Sequence, residues 1–205
     1  MSRQPEDSAD IGLIDFARLV IDALEAAGAE YMLAGALAVA AWAEARSTQD
    51  VDLVISIPFE HIQHLSDELE RRGMLVPADI IINIDLETRA DLPINAIHLY
   101  SGLKAELFLM RPDDEYRLVA FQRRRRVDLG EPLGTVYVHA PEDLILYKLL
   151  YFQLSRQCKH IRDIASIWSA QEGRLDRAYM QHWAERLGVT AVWQEAQGQL
   201  TSRQP

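Results

Sequence analysis

Residues 31–56 read YMLAGALAVAAWAEARSTQDVDLVIS. The run opens as a short apolar strand over residues 31–34, turns at Gly35, and continues as a small-residue helix from about 36 to 44. A polar loop, residues 46–49, then leads into a strand that begins Asp50-Val51-Asp52. Side chains alternate along a strand, so Asp50 and Asp52 share one face while Val51 and Leu53 take the opposite, buried one. Two like charges that close disfavour each other unless a cation sits between them. Upstream, the glycine turn presents the first N–H groups of a helix, where a phosphate can be held. A phosphate cradle followed by paired carboxylates is thus the pattern that organises the chain.

The 205 residues suffice for one large domain or two small ones. A formal charge of −10 argues against coating nucleic acid by bulk electrostatics, although it leaves room for a local basic groove. The lone cysteine, Cys158, excludes an intramolecular disulfide and a cysteine-based zinc site. It fits a reducing cytoplasm and has no evident base partner, so it reads as structural. Residues 1–9 are polar and read as a mobile tail, with no basic segment leading into an apolar run. The longest uncharged apolar run, residues 31–43, is shorter than the ~20 residues that cross a bilayer. A cytoplasmic protein without a membrane partner is expected.

Working outward, Asp10 is placed to cap a helix carrying Leu13, Phe16, Val20, Leu24 and Ala27 on one face, with Gly28 at its end. Pro58 closes the Asp50 strand, and a helix over residues 59–72 buries Ile62, Leu65 and Leu69. Ile80-Ile81-Ile82 favours a strand by propensity, while Pro77 and Asp79 suit the start of a short helix. Strands over residues 95–100 and 104–110 form a hairpin through Ser101-Gly102. Asp113, Asp114 and Glu115 open a helix to about Gln122, and strands follow at residues 123–128 and 135–138. From Pro141 onward the pattern is helical, with helices at about 141–152, 161–168, 175–187 and 190–200. The expectation is an α+β protein: a mixed β-sheet flanked by helices over residues 1–140, then a helical subdomain over 141–205 that completes a cleft.

Within LKAELFLM, Ala105, Leu107 and Leu109 occupy one strand face and Glu106 the other. A carboxylate inside an apolar strand is costly unless paired or metal-bound. If this strand neighbours Asp50-Val51-Asp52, three carboxylates converge, a hard-oxygen set suited to Mg²⁺ or Mn²⁺ rather than zinc. The plainer alternative is that Asp50 and Asp52 are exposed edge acids and Glu106 a surface acid or salt-bridge partner.

An apolar residue, Gly35, a small residue, thirteen intervening residues and then Asp-apolar-Asp-apolar resembles the signature of the DNA polymerase β-type nucleotidyltransferase superfamily. The segment GALAVAAWAEARSTQDVDLVI is more specifically similar to the nucleotidyltransferases of bacterial abortive-infection and type IV toxin–antitoxin systems. LKAELFL and PEDLILYKLL with KHIRDIASI match further blocks of that family in order, over roughly residues 11–170. The resemblance implies an α/β nucleotidyltransferase core that moves a nucleoside monophosphate from an NTP to a hydroxyl on an RNA (tRNA) end or a protein, with a cognate antitoxin as partner. It implies that Asp50, Asp52 and Glu106 are catalytic metal ligands for Mg²⁺ or Mn²⁺, with Glu106 also able to accept the attacking hydroxyl's proton. It implies that Gly35 and Ala36 face the nucleotide phosphates and that Lys148 reaches the triphosphate as a point charge. Many members carry Gly-Gly or Gly-Ser where this chain has Gly35-Ala36, which removes a hydroxyl but leaves the backbone donors. A catalytically silent nucleotide- or protein-binding module is the alternative.

Other residues have two readings each. Asp85 rivals Glu106 as third carboxylate. Arg46 could neutralise substrate phosphate or pair with Asp50 or Asp52. The run of arginines at 123–126 could guide an RNA backbone or form a solvated edge. In HIRD, Arg162 is expected to pair with a carboxylate and fix helix to sheet. His61 and His64 read as a surface pair, and Trp42, Trp168, Trp183 and Trp193 as packing residues.

Overall fold

In the computed structural model, which describes residues 10–44, 46–87 and 91–201, the 31–56 stretch folds as β1 (Glu30–Leu33), α2 (Gly35–Trp42) and β2 (Asp50–Ser56). Before it lies α1 (Leu13–Ala26), and after it come a 3₁₀ turn (Phe59–His61), α3 (Ile62–Glu70) and α4 (Ala78–Leu86). Strands β3 (Ile94–Ile97) and β4 (Lys104–Leu109) precede α5 (Glu115–Gln122), β5 (Arg125–Asp128) and β6 (Thr135–Val138). Four helices follow: α6 (Pro141–Ser155), α7 (Cys158–Ala170), α8 (Arg177–Arg186) and α9 (Thr190–Thr201). The polar tail at residues 1–9 lies outside the described residues.

Six strands form one mixed sheet in the order β3-β4-β2-β1-β6-β5. β2 and β4 run parallel, so that Asp50 stands opposite Lys104 and Asp52 opposite Glu106. β1 runs antiparallel to β2 and parallel to β6. Alternation sorts the side chains of the central strands. Val51, Leu53 and Ile55 of β2 and Ala105, Leu107 and Leu109 of β4 point into the main hydrophobic core. That core also takes Phe16, Val20 and Leu24 from α1 and Leu65 and Leu69 from α3. On the other face, Met32, Val54 and Phe121 make a small second cluster beside Phe108. The acids sit on this second face, next to a patch too small to cover them.

Some local boundaries need correcting, and one open segment is decided. α1 starts after Gly12, with no side-chain cap, rather than at Asp10. The isoleucine triplet is helical. Pro77 in extended conformation precedes the first turn and Asp79 complements its dipole, and these signals outweigh β-propensity. β3 ends at Ile97, and a turn through Gly102, whose N–H donates to His98, completes the hairpin.

Helices α6 to α9 pack on one another and, through α6 and α7, on α2, and they share the same core, with Leu144, Ile145, Leu149, Ile164, Trp183 and Trp193 all buried. A buried polar cluster adds to this. Asp143 at the first turn of α6 accepts from Tyr116 Oη (3.1 Å), Arg123 Nε (3.0 Å) and Tyr179 Oη, joining α5, α6 and α8. Thus the arginine run is divided. Arg123 lies over the Tyr179 ring and Arg124 over Phe121, while Arg125 and Arg126 are exposed on the edge strand.

Candidate active site

A cleft of about 800 Å³ is lined by Ala34, Gly35 and Ala36, by Arg46, by Asp50, Asp52 and Glu106, and by Lys148, among others. Gly35, Ala36, Arg46, Asp50, Asp52, Glu106 and Lys148 therefore all reach one cavity. The fold explains the convergence. β2 and β4 place the acids side by side, α2 begins where β1 ends, and α6 faces the strands across the gap.

Gly35 has a particular reason to be glycine. Its φ is +58°, a left-handed conformation in which side chains are strained. More severely, a Cβ there would fall inside the Asp52 carboxylate, 2.8 Å from the Asp52 Cβ. The turn and the second acid of the pair are thus in direct contact, and Ala34 N donates to Asp52 O at 2.8 Å. Ala34 offers no side-chain cap, so the first N–H groups of α2 keep their donor capacity at the cleft wall.

Asp52 is held above the usual carboxylate range, first by burial and then by Glu106 and Asp50, with Lys148 and Lys104 opposing the shift. Hard oxygen donors on adjacent strands, mutually repelling and beside a glycine cradle, are chemically suited to a divalent cation. Among the described residues no three His, Cys, Asp or Glu side chains close on a common point. Instead Lys104 Nζ lies 2.6 Å from Glu106 Oε1 and 3.5 Å from Asp50 Oδ1.

The opposite wall is basic. Lys148 and Arg46 are both held by Asp163 of α7, at 2.7 Å from Nζ and 2.8 Å from Nε. Arg46 thus pairs with neither Asp50 nor Asp52. In HIRD the buried partner is Asp163, whereas Arg162 is exposed. Burial would raise the Asp163 pKa, but its two cations win and hold it below the usual range. His139 and His160 also line the cleft, and neither Nδ1 has a hydrogen-bond partner among the described residues. Burial, with Arg117 and Lys148 nearby, pushes His139 down to about 3, so it is a neutral ring at physiological pH.

The remaining candidates fall elsewhere. Asp85 is exposed on α4, where its carbonyl accepts from Arg111 at 2.8 Å, and it does not line the cleft. His64 Nε2 sits 3.3 Å from Glu68, and His61 carries a buried Nδ1 without a hydrogen-bond partner among the described residues. Trp183 and Trp193 are buried as packing residues, and Trp42 Nε1 donates to His139 O at 2.7 Å. Cys158, read as structural, is an exposed free thiol at the first turn of α7. Sequence reasoning passed over Lys104, His139 and Asp163. Lys104 shares the Glu106 face by simple alternation, and Asp163 shares a helical arc with Ile164 and Ile167, so both were findable from spacing. Nothing local marks His139.

No family model matches the chain, and no curated protein does either. Solved structures do. The solution structure of the antibiotic-resistance factor ANT(2'')-Ia superposes with a TM-score of 0.59 at 14% identity, over 89% of this chain and 96% of that one. Its crystal structure in complex with adenylyl-2''-tobramycin gives a TM-score of 0.57 at 14% identity, over 85% and 98% of the two chains. An antigenic nucleotidyltransferase-like protein from Paracoccidioides brasiliensis gives 0.51 at 17% identity, over 89% and 91%. The chain has a nucleotidyltransferase fold: a mixed sheet flanked by helices, as these neighbours have.

Proposed function

We propose that this protein is a metal-dependent nucleotidyltransferase that moves a nucleoside monophosphate from an NTP to a hydroxyl. The observation that carries the reading is the lateral pairing of Asp52 with Glu106, beside Asp50 and against Gly35, in a cleft whose far wall presents Lys148 and Arg46. Acid floor and basic wall face each other across a space large enough for a small ligand.

Asp50, Asp52 and Glu106 would hold Mg²⁺ or Mn²⁺, which when bound polarises the phosphate and favours the alkoxide form of the attacking hydroxyl. The chain's own groups do the rest. Backbone donors at Gly35 and Ala36 seat the phosphates, and a hydroxyl is missing there because residue 36 is alanine. Lys148 and Arg46, fixed by Asp163, supply positive charge to the departing pyrophosphate. A carboxylate oxygen of Glu106 accepts the acceptor's proton.

The sequence resemblance adds finer content: a toxin with a cognate antitoxin, acting in the cytoplasm on an RNA end or a protein. The neighbour crystallised with adenylyl-2''-tobramycin adds a third acceptor class, a small molecule. No helix among the described residues is long and apolar enough to cross a membrane. The test is label transfer from α-labelled NTPs, with Mg²⁺ or Mn²⁺, to total RNA, total protein and a panel of hydroxyl-bearing small molecules. Asp52→Asn should lower transfer at least about a thousandfold. Equal labelling by wild type and Asp52→Asn would sink the proposal.

A further inference from the structure

Lys104 has no task in the reaction just described, yet its ammonium lies within the acidic floor. It opens β4 opposite Asp50 and shares a strand face with Glu106. Its Nζ sits 2.6 Å from Glu106 Oε1 and 3.5 Å from Asp50 Oδ1, bridging the two strands that carry the acids. Its charge also acts on Asp52, opposing the effect of the neighbouring carboxylates there. Only about a third of the side chain is exposed, at 32%. A lysine on a solvated edge pairs loosely with one acid. This one is drawn between two.

We propose that Lys104 is a built-in counter-cation, held between Asp50 and Glu106, that a divalent ion must displace, and that it thereby sets the metal affinity of the site. The inference rests on the metal-dependent reading above. Its physical basis is competition for the same oxygens. Mg²⁺ needs carboxylate oxygens at about 2.0–2.1 Å, and an ammonium held on Glu106 Oε1 is a like charge against that ion. The four-carbon lysine stem is flexible, and strong hydration of its ammonium makes release to the cleft mouth inexpensive. While in place, Lys104 offsets the repulsion among three carboxylates, so the floor is stable without a metal. Once a metal is bound, that role is taken over.

The test uses the full chain and Mn²⁺, with free ion followed by electron paramagnetic resonance. Lys104→Met should bind Mn²⁺ about tenfold more tightly than wild type. Lys104→Arg keeps the charge and should stay within about twofold of wild type. Independently, acetic anhydride labelling of Lys104 in the wild type, read by mass spectrometry, should rise several-fold when Mn²⁺ is added. Equal Mn²⁺ affinity in wild type and Lys104→Met, or labelling that ignores Mn²⁺, overturns the inference and leaves the metal-dependent reading standing. No Mn²⁺ binding in any variant, Lys104→Met included, overturns both.

Discussion

Asp143 and Asp163 lie on successive helices, are 0% and 2% exposed, and both accept from an arginine, yet they serve different ends. Asp143 is surrounded by Tyr116, Tyr179 and Arg123, none of which lines the large cleft. Asp163 holds Lys148 and Arg46, which both do. Their titration diverges accordingly. Burial dominates at Asp143 and raises its pKa against the opposing tyrosines and Arg123. At Asp163, two cations outweigh burial and lower it. The first carboxylate joins helices α5, α6 and α8. The second holds two cations on the cleft wall, where the proposed reading seats a triphosphate. A buried charge is an uncertain source of net stability, but removing one partner of such a pair is reliably costly.

The comparison breaks most visibly at Asp163. Asp163→Ala leaves the Lys148 ammonium, whose side chain is 7% exposed, without its acceptor. We expect a loss of about 3–5 kcal/mol in urea denaturation, together with weakened NTP binding. A loss under about 1 kcal/mol would mean that Lys148 turns to the acidic floor instead. Asp143→Ala should cost somewhat less, about 2–3 kcal/mol, because Arg123 is 27% exposed and can be rehydrated. Under conditions where that variant remains folded, its NTP affinity should stay within about twofold of wild type. A larger change would erase the distinction between the two carboxylates.

The smallest effect is on pH dependence. The folded-state pKa of Asp163 is depressed, so its contribution is present above the unfolded value of about 3.9 and is lost as pH falls through the folded value. For Asp143 the folded-state pKa is raised, so its contribution is present below about 3.9 and is lost as pH rises through the folded value. Asp163→Asn should therefore make unfolding less sensitive to acid below about pH 4, and Asp143→Asn more sensitive to acid above about pH 4. Urea midpoints on either side of about pH 4 decide it, and slope changes of the same sign relative to wild type in the two variants would contradict the assignment.

Much of this arrangement was legible in the chain because it is local. The shared face of Asp50 and Asp52 follows from alternation alone, and the helices from residue 141 onward follow from their apolar spacing. Pairing across strands is another matter. That Asp52 stands opposite Glu106 depends on β2 and β4 lying side by side in a particular register, and nothing within either strand specifies its neighbour. Arg162 attracted attention in HIRD because it is the more obvious cation, whereas the helical arc of Ile164 and Ile167 buries its neighbour Asp163. The isoleucine triplet stayed open between strand and helix for the opposite reason. Its propensity is a property of three residues, and the start of a helix is a property of what precedes them.

The collision at Gly35 carries a consequence for reading other genomes. Because a β-carbon at position 35 and the carboxylate of Asp52 claim the same volume, the two positions cannot drift independently. A gene copy that acquires any side chain at 35 must move the acid at 52 or lose it, even when the aspartate codon is intact. Glycine at this one position is therefore a cheap genetic marker: sequences that keep it retain room for the acid, and sequences that lose it have already given up the geometry described here.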